Sequence, residues 1–355
     1  MPDETGNAIQ IERVADLDDI ILKVENLITA FDTEAGPVRA VDDVSFSLNR
    51  GRNLGIVGES GCGKSVMALS VMRLLPKPAG NIIGGRIAFK GSDIVSLPAD
   101  AMHAVRGNQI AMIFQEPMTA LNPVHTIGRQ VGEVFSLHFP EMSDGDTREA
   151  SLEMLQKVGI PEPLKRMTEY PHQISGGMRQ RVMIAMALAC KPDILIAEEP
   201  TTALDVTIQA QILNLIRDLQ AETGMSVIFI THDLGVIAEL CNDVVVMYAG
   251  KVAETAPIRE LFHNPRHPYT RGLLNSIPTL DSAHKQPLRI IEGIVPSLDA
   301  LPSGCRFENR CPHAREICAT APPPLVDVGP DHAASCYFAQ DLKPWNKTST
   351  HRPAT

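Results

Sequence analysis

The stretch GESGCGKS, residues 58–65, decides the fold. Its ends fit the pattern G-x-x-x-x-G-K-[S/T], in which a glycine-lined turn points backbone N–H groups at phosphates. An apolar run at 54–58 precedes it and a helical pattern at 65–75 follows, so a helix start adds positive potential. Lys64 would bind the β- and γ-phosphates, and the Ser65 hydroxyl would ligate Mg²⁺. The predicted phosphate site comprises Gly58, Glu59, Ser60, Gly61, Cys62, Gly63, Lys64, Ser65 and Val66.

The alternative for this stretch is a glycine-rich turn without a ligand. Within the loop, Cys62 is interpreted as a filler residue rather than a nucleophile. The strand before the loop and the helix after it favour the phosphate site, because that is the setting in which such a loop works.

Further apolar runs end at glycine or polar turns, as the buried strands of a parallel sheet do. They lie at 109–114, 194–197, 226–230 and 243–248. Helical patterns intervene, and the one at 205–222 has Gly224 just past its end. Strands that alternate with helices predict an α/β fold with a largely parallel sheet. Residues 126–170 have no strand pattern, which predicts a helical insertion.

Composition excludes several classes of protein. The chain has 355 residues and a formal net charge of −10, so nonspecific binding to nucleic acid is not expected. The first 20 residues are acidic and unlike a signal peptide, and no apolar stretch approaches the ~20 residues that cross a bilayer. We therefore expect a cytosolic chain whose seven cysteines are reduced.

Two adjacent carboxylates, Glu198 and Glu199, end the apolar run ILIAEEP at 194–200. A nucleotide hydrolase needs one carboxylate near the metal and a second group that positions the attacking water. The order of the two residues predicts that Glu198 faces Mg²⁺ and Glu199 faces the water. The alternative is a pair that ends a solvent-exposed strand.

A second glycine turn, ISGGM at 174–178, opens another helix. Together with the phosphate loop it resembles the ATP-binding subunits of ABC transporters, in which LSGGQ stands at this place. The resemblance implies a P-loop (RecA-like) core with an antiparallel β subdomain, a helical insertion and a small cysteine-containing C-terminal extension. It also implies that Ser175, Gly176 and Gly177 complete the ATP site of a neighbouring subunit.

Other motifs of that family follow in order between about residues 20 and 265. The resemblance implies that Gln115, in IFQEP, is the Q-loop glutamine and a Mg²⁺ ligand. It implies that Ala203, Leu204 and Asp205 form the D-loop. By the same resemblance His232, in FITHD, senses the γ-phosphate, and Phe31 stacks on adenine, a contact worth roughly 1–3 kcal/mol per base. The implied catalytic residues are Glu199, His232, Gln115 and Lys64.

The paired carboxylates depart from the family pattern, as ISGGM does from LSGGQ. The family has Asp-Glu where this chain has Glu198-Glu199. The extra methylene displaces the metal-side carboxylate, and Mg²⁺ demands near-ideal octahedral geometry. We expect slower hydrolysis with nucleotide binding retained; a neutral replacement is the alternative.

The segment 250–278, which contains NPRHPYT, resembles the oligopeptide/dipeptide importer ATPases. Nickel and glutathione importers share these features, so the cargo stays open. The resemblance implies two transmembrane permease subunits, a second ABC ATPase in a heterodimer, and an extracytoplasmic substrate-binding protein that acts indirectly. The permeases' cytoplasmic helices would dock beside Gln115 and the insertion, at the cytoplasmic face of the inner membrane.

Four cysteines lie within 32 residues, with the spacing C-x₅-C-x₆-C-x₁₇-C. They are Cys305, Cys311, Cys318 and Cys336. Reduced thiols gathered in this way suit Zn²⁺ or a [4Fe–4S] cluster, and the resemblance favours the cluster, in a structural role. Free buried cysteines are the third alternative. His313 and His332 are alternative ligands, although surface positions explain them as well.

These predictions divide the chain into four parts. Residues 1–19 form an acidic flexible tail, and 20–265 form the nucleotide-binding domain with its insertion at about 117–180. Residues 266–340 form the importer extension, and 341–355 form a second flexible tail. Two other functions remain open: an ABC-type ATPase outside transport, and a regulatory ATP-binding subunit with impaired hydrolysis.

Overall fold

The computed structural model describes residues 19–34, 36–116, 120–201, 205–277 and 290–345. The predicted tails therefore lie almost wholly outside the described residues. Within the described part, no helix is long and apolar enough to cross a membrane.

The central layer is one long sheet. Its strands, in chain order, are β3 (Asn53–Val57), β6 (Ile110–Ile113), β7 (Ile194–Glu198), β8 (Ser226–Ile230), β9 (Asp243–Tyr248), β10 (Lys251–Pro257), β11 (Val326–Gly329) and β12 (His332–Ala334). They are ordered β11-β12-β10-β9-β3-β8-β7-β6. The five strands from β9 to β6 are parallel. The apolar runs of the sequence thus form the predicted parallel sheet.

A smaller antiparallel sheet covers the phosphate-loop side of this layer. It contains β1 (Ile20–Thr33), β2 (Gly36–Asn49), β4 (Gly80–Phe89) and β5 (Ser92–Asp93). Their order is β2-β1-β4-β5. One apolar core joins β1, β2 and β4 to residues of β3 and to the first helix, through Leu22, Val44, Ile56 and Met67. The antiparallel subdomain is confirmed.

Helices lie on both sides of the strands and form the insertion. They are α1 (Lys64–Val71), α2 (Ala99–His103), α3 (Ile127–His138), α4 (Asp144–Lys157), α5 (Pro163–Arg166), α6 (Gly176–Leu188), α7 (Val206–Thr223), α8 (Leu234–Leu240), α9 (Ile258–His263), α10 (Pro268–Asn275) and α11 (Glu316–Thr320). Helices α3 to α5 are the predicted insertion. Thr126 caps α3, and Ser143 with Asp146 forms a capping box on α4.

One predicted helix end is wrong. The helical pattern at 65–75 predicts a helix to Leu75, whereas α1 ends at Val71. Arg73 adopts a left-handed conformation with φ of 52°, and its guanidinium donates to the carbonyls of Ile94 and Leu97. Pro76 also disfavours helix in the residue before it. These interactions end the helix one turn early.

The C-terminal extension continues the central sheet. Strand β12 pairs with β10, with Glu254 opposite Ala334, and β11 pairs with β12. The sequence did not predict this pairing, because β11 and β12 are short and lie among prolines. The extension is consequently built onto the nucleotide-binding domain through backbone hydrogen bonds.

Candidate nucleotide-binding site

Part of the predicted site lies at one edge of the central sheet. The phosphate loop follows β3, His232 follows β8, Glu199 follows β7 and Gln115 follows β6. These four strands are neighbours and parallel, so their carboxyl ends lie side by side. Ligands of open α/β sheets bind outside these strand ends.

Glycines are required in the phosphate loop for two reasons. Gly58, Gly61 and Gly63 have φ of 155°, 79° and 97°, a region that glycine tolerates best. A Cβ atom on Gly58 would lie 2.3 Å from the carbonyl oxygen of Met247, and one on Gly63 would lie 2.4 Å from that of Ala40. The loop is therefore tightly enclosed by β9 and β2 at these two glycines.

Lys64 opens α1 and is buried. Its Nζ donates to the carbonyl oxygens of Gly58 at 2.7 Å and Glu59 at 3.0 Å. The ammonium group is thus held inside the loop, within reach of a phosphate bound there. Ser65 is exposed at the helix start and can offer its hydroxyl to a metal ion.

Cys62 fits the interpretation as a filler. It is fully buried, and burial raises the pKa of its thiol. A protonated, enclosed thiol is a poor nucleophile.

Glu199 links two side chains from neighbouring strands. Its Oε2 accepts a hydrogen bond from Nε2 of Gln115 at 3.0 Å, and its Oε1 lies 3.1 Å from Nδ1 of His232. Its backbone N–H donates to the carbonyl oxygen of Ile230 at 2.8 Å, and its φ of 39° is unusual for a residue with a side chain. The carboxylate is thus oriented from both sides, as a group that positions water must be.

Glu198 is the last residue of β7 and is only 6% exposed. Glu198 pairs with Ile230 of β8, and Ile230 precedes His232 by two residues. A buried carboxylate at this edge can serve a metal ion bound between β7 and the phosphate loop. The distance to such an ion depends on the longer glutamate side chain.

Phe31 lies in β1, opposite Val38 of β2. Strand β2 continues to Ala40, whose carbonyl oxygen closes over Gly63. The hairpin thus places Phe31 on a strand pair that abuts the phosphate loop. Phe31 is partly exposed and also packs near Gly80.

The second glycine turn opens α6 and packs beside α7. The Ser175 hydroxyl caps α6 by accepting from the amide of Met178 at 3.3 Å. Gly176 is exposed, and a Cβ atom on Gly177 would meet Ile208 of α7 at 3.2 Å. Asp205 caps α7 by accepting from the amide of Ile208 at 3.0 Å, whereas Ala203 and Leu204 lie outside the described residues.

Four thiols line one small cavity in the extension, as the spacing predicts. The cavity measures about 20 Å³ and includes Cys305, Cys311, Cys318 and Cys336 among its walls. Burial raises the pKa of Cys305 and of Cys311 to about 11, and the amides of Phe307 and His313 oppose the rise. Burial also raises the pKa of Cys336, opposed by the amide of Phe338. Each of these amides follows its cysteine by two residues, which suits a thiolate.

The predicted metal site itself is not shown. Among the described residues, no group of three or more His, Cys, Asp or Glu is arranged to hold a metal ion. His332 does not line the cavity of the four thiols, and it is buried rather than at the surface, with its Nε2 2.7 Å from Oε1 of Glu254. His313 lies on the wall of the same cavity as the four thiols.

Two known protein families match the chain. The ABC transporter family matches residues 41–202, which include the phosphate loop, the second glycine turn and the paired glutamates. The family described as "Oligopeptide/dipeptide transporter, C-terminal region" matches residues 253–318.

Relatives of similar length resemble the chain throughout. The "Probable peptide ABC transporter ATP-binding protein y4tR" of Sinorhizobium fredii is 52% identical over 91% of this chain and 96% of its own. The "Dipeptide transport ATP-binding protein DppD" of Bacillus subtilis is 51% identical over 90% and 94%. The solved ATP-binding cassette MJ0796, in a dimer with ADP and Pi, has a TM-score of 0.60 and 28% identity, covering 67% and 99%.

The fold and the strand-end site define an ATPase of the ABC class. The chain belongs to the ATP-binding proteins of ABC transporters, in the oligopeptide/dipeptide transporter family. ATP with Mg²⁺ is the typical nucleotide of this class. The predicted α/β P-loop fold is confirmed.

Sequence reasoning missed two residues that touch the phosphate loop. Arg310 binds the Glu59 carboxylate, and the Tyr269 hydroxyl accepts the Glu59 amide. The motif NPRHPYT contains Tyr269, but it indicated a subfamily and no contact. Arg310 had no signal, because 251 positions separate it from Glu59.

Proposed function

We propose that this chain binds and hydrolyses ATP to power import of peptides by an ABC transporter. The observation that carries the proposal is the hydrogen-bonded set of Gln115, Glu199 and His232 at the strand ends beside the phosphate loop. The relatives named for peptide and dipeptide transport, at about 50% identity over nine-tenths of the chain, support the cargo class.

Each site residue takes a role by chemical type. Lys64 and the loop amides hold the phosphates, while Ser65, Gln115 and Glu198 serve Mg²⁺ directly or through water. Glu199 positions the attacking water, and His232 contacts the γ-phosphate. Phe31 stacks on adenine. Ser175, Gly176, Gly177 and Asp205 act on the nucleotide of the other ATPase.

The test is peptide uptake by the complete transporter in sealed vesicles. ATP on the side that carries this chain should drive accumulation of a labelled di- or oligopeptide, and Lys64→Ala should abolish it. Accumulation of nickel or glutathione instead would reject the peptide cargo. ATP hydrolysis without any permease-dependent uptake would favour an ABC-type ATPase outside transport, and ATP binding without hydrolysis would favour the regulatory alternative.

The partners follow from the family. We propose two permease subunits, a second and different ABC ATPase, and a substrate-binding protein outside the membrane, with this chain at the cytoplasmic face. A groove of about 690 Å³ between α3 and α4 supports permease docking. Its walls include Arg129, Glu133, Asp144 and Arg148. These charged side chains suit a polar cytoplasmic helix of a permease better than an apolar helix that faces lipid. Opposite-charge substitutions at Arg129 should release the permeases in co-purification.

We further propose a [4Fe–4S] cluster on Cys305, Cys311, Cys318 and Cys336. The donor set fits, because four thiols share one cavity and backbone amides point at three of the sulfurs. When bound, the cluster would cross-link the extension.

Iron and acid-labile sulfide measured in anaerobically purified chain test the cluster. Stoichiometric iron supports the cluster, and stoichiometric zinc supports a zinc site. If neither metal is found, the four cysteines are free buried thiols. We also propose the domain limits given above, with the nucleotide-binding domain at 20–265 and the extension at 266–340. Limited proteolysis should cut first outside these limits.

A further inference from the structure

The carboxylate of Glu59, inside the phosphate loop, is bound by an arginine of the C-terminal extension. Arg310 donates to Oε2 of Glu59 at 2.7 Å and to Oε1 at 3.0 Å. The Arg310 side chain is only 4% exposed. It also donates to the carbonyl oxygens of Ile291 at 3.1 Å and Glu292 at 2.9 Å, which fixes the guanidinium in place. Such a two-pronged charged pair is both strong and directional.

The backbone of Glu59 is held by the extension as well. Its amide donates to the Tyr269 hydroxyl at 2.8 Å. Tyr269 is fully buried and packs against Tyr248, with ring centroids 4.6 Å apart, and against Phe307 at 5.4 Å. The amide and the carboxylate of one loop residue are thus bound by two different parts of the extension.

Arg310 belongs to a short segment between two of the cavity cysteines. This segment, Cys305–Cys311, is called the strap below. Arg306 of the strap binds the carbonyl oxygen of Ala249 and the carboxylate of Asp42. Gly250, which follows Ala249 in the sequence, donates its amide to the carbonyl oxygen of Cys62 at 2.9 Å. The strap therefore reaches the phosphate loop at Glu59 and, through Gly250, at Cys62.

An acidic residue at this position conflicts with the task of the loop. A triphosphate bound by the loop amides that follow Glu59 would lie close to the Glu59 carboxylate. Two like charges a few ångströms apart near a protein surface repel with an energy that matters for affinity. Neutralisation by a buried arginine removes this repulsion and keeps the Glu59 side chain turned towards the extension.

We propose that the strap positions the phosphate loop for ATP, with Arg310 as the positioning residue that neutralises Glu59. The inference rests on the proposed ATP binding by this loop. Arg310 acts on the nucleotide only through Glu59. If the ion pair were purely structural, removal of either Arg310 or Glu59 would lower the affinity for ATP. If it neutralises Glu59, only removal of Arg310 should lower that affinity.

The experiment measures equilibrium affinity for ATP with Mg²⁺ on the purified full chain. Arg310→Gln should weaken binding by about tenfold, because an unpaired anion then faces the phosphates. The double variant Arg310→Gln with Glu59→Gln should recover to within about threefold, and Arg310→Lys should lie between. Added salt should narrow the deficit of Arg310→Gln, because repulsion near the surface is screened.

Arg271→Gln is the matched control. Arg271 lies in the same extension and donates to the carbonyl oxygens of Pro265 and Lys343, away from Glu59. Unchanged affinity in Arg310→Gln, or equal weakening in the single and double variants, overturns the proposal. If Arg310→Gln does not fold, the single variant Glu59→Gln tests the proposal. The proposal requires this variant to bind ATP at least as tightly as the unaltered chain does, and weaker binding overturns it. Absence of ATP binding in the unaltered chain refutes the proposed function itself.

Discussion

The phosphate loop lies at the carboxyl edge of the central sheet and is bound by the C-terminal extension, and these two regions are built in different ways. At the edge, Glu199 bonds to Gln115 and His232 at the ends of neighbouring strands. In the extension, Tyr269 and Arg310 bond to Glu59 across 210 and 251 positions of sequence. In the proposed function the edge acts on the nucleotide, whereas the extension binds the loop through Glu59. Changes at the edge should alter rate, and changes in the extension should alter affinity and stability.

Removal of the Glu199 carboxylate gives the largest expected effect. It also tests most directly whether changes at the edge alter the rate of hydrolysis rather than the affinity for ATP. Glu199→Gln should lower ATP turnover of the assembled transporter by about 10²- to 10⁴-fold, because a positioned base contributes that much. ATP affinity should change little, since the residue acts on water. Phosphate release and nucleotide affinity are measured side by side. Glu222→Gln, a surface partner of Lys157, is the control, and equal turnover in both variants would remove Glu199 from this role.

Acid should destabilise the extension through His267. His267 caps α10 by accepting the Tyr269 amide, and burial lowers its pKa to about 4. The folded state therefore keeps His267 neutral, whereas the unfolded chain takes up a proton below about pH 6.5. Stability conferred by the neutral ring is present above pH 6.5 and is lost as pH falls towards 4, by about 2 kcal/mol between pH 7 and pH 5.

Urea unfolding of the full chain at those two pH values measures this loss. His267→Asn should show a smaller decrease from pH 7 to pH 5 than the unaltered chain. His172→Asn is the control, because His172 is exposed. The same decrease in all three chains would show that other groups cause the acid sensitivity.

The metal-side carboxylate tests the edge at finer scale. Glu198→Asp restores the family's shorter side chain, which should raise turnover at saturating Mg-ATP by about three- to tenfold, because Mg²⁺ tolerates little distortion. The apparent KM for ATP should stay within about twofold. Steady-state hydrolysis by the assembled transporter measures both. Equal turnover in the two chains would mark Glu198 as a neutral replacement.

The buried strands of the edge and the phosphate loop could be predicted from sequence pattern, whereas Gln115 and His232 were indicated only by the resemblance to ABC ATPases. The parallel order of β3, β8, β7 and β6 then brings Gln115, Glu199 and His232 together. The extension could be predicted in part: the cysteine spacing indicated a shared site, and the thiols share a cavity. Its contacts with Glu59 could not be predicted, because a salt bridge across 251 positions leaves no periodic pattern.

The smallest expected effect links the cysteine cavity to the nucleotide. Cys311 ends the strap next to Arg310, so a ligand bound to the cavity thiols would restrain the arginine that neutralises Glu59. Cys311→Ser should lower the iron or zinc content of the full chain. It should also weaken ATP affinity by about two- to threefold, because the freed strap holds Arg310 against Glu59 for a smaller fraction of the time.

Cys190→Ser is the matched control for this effect. Cys190 is half-buried just beyond the end of α6 and does not line the cavity of the four thiols. Loss of metal with unchanged ATP affinity in Cys311→Ser would show that the strap holds Arg310 without help from the cavity. Loss of both would make the cavity and the phosphate loop parts of one connected unit that sets the ATP affinity of the chain.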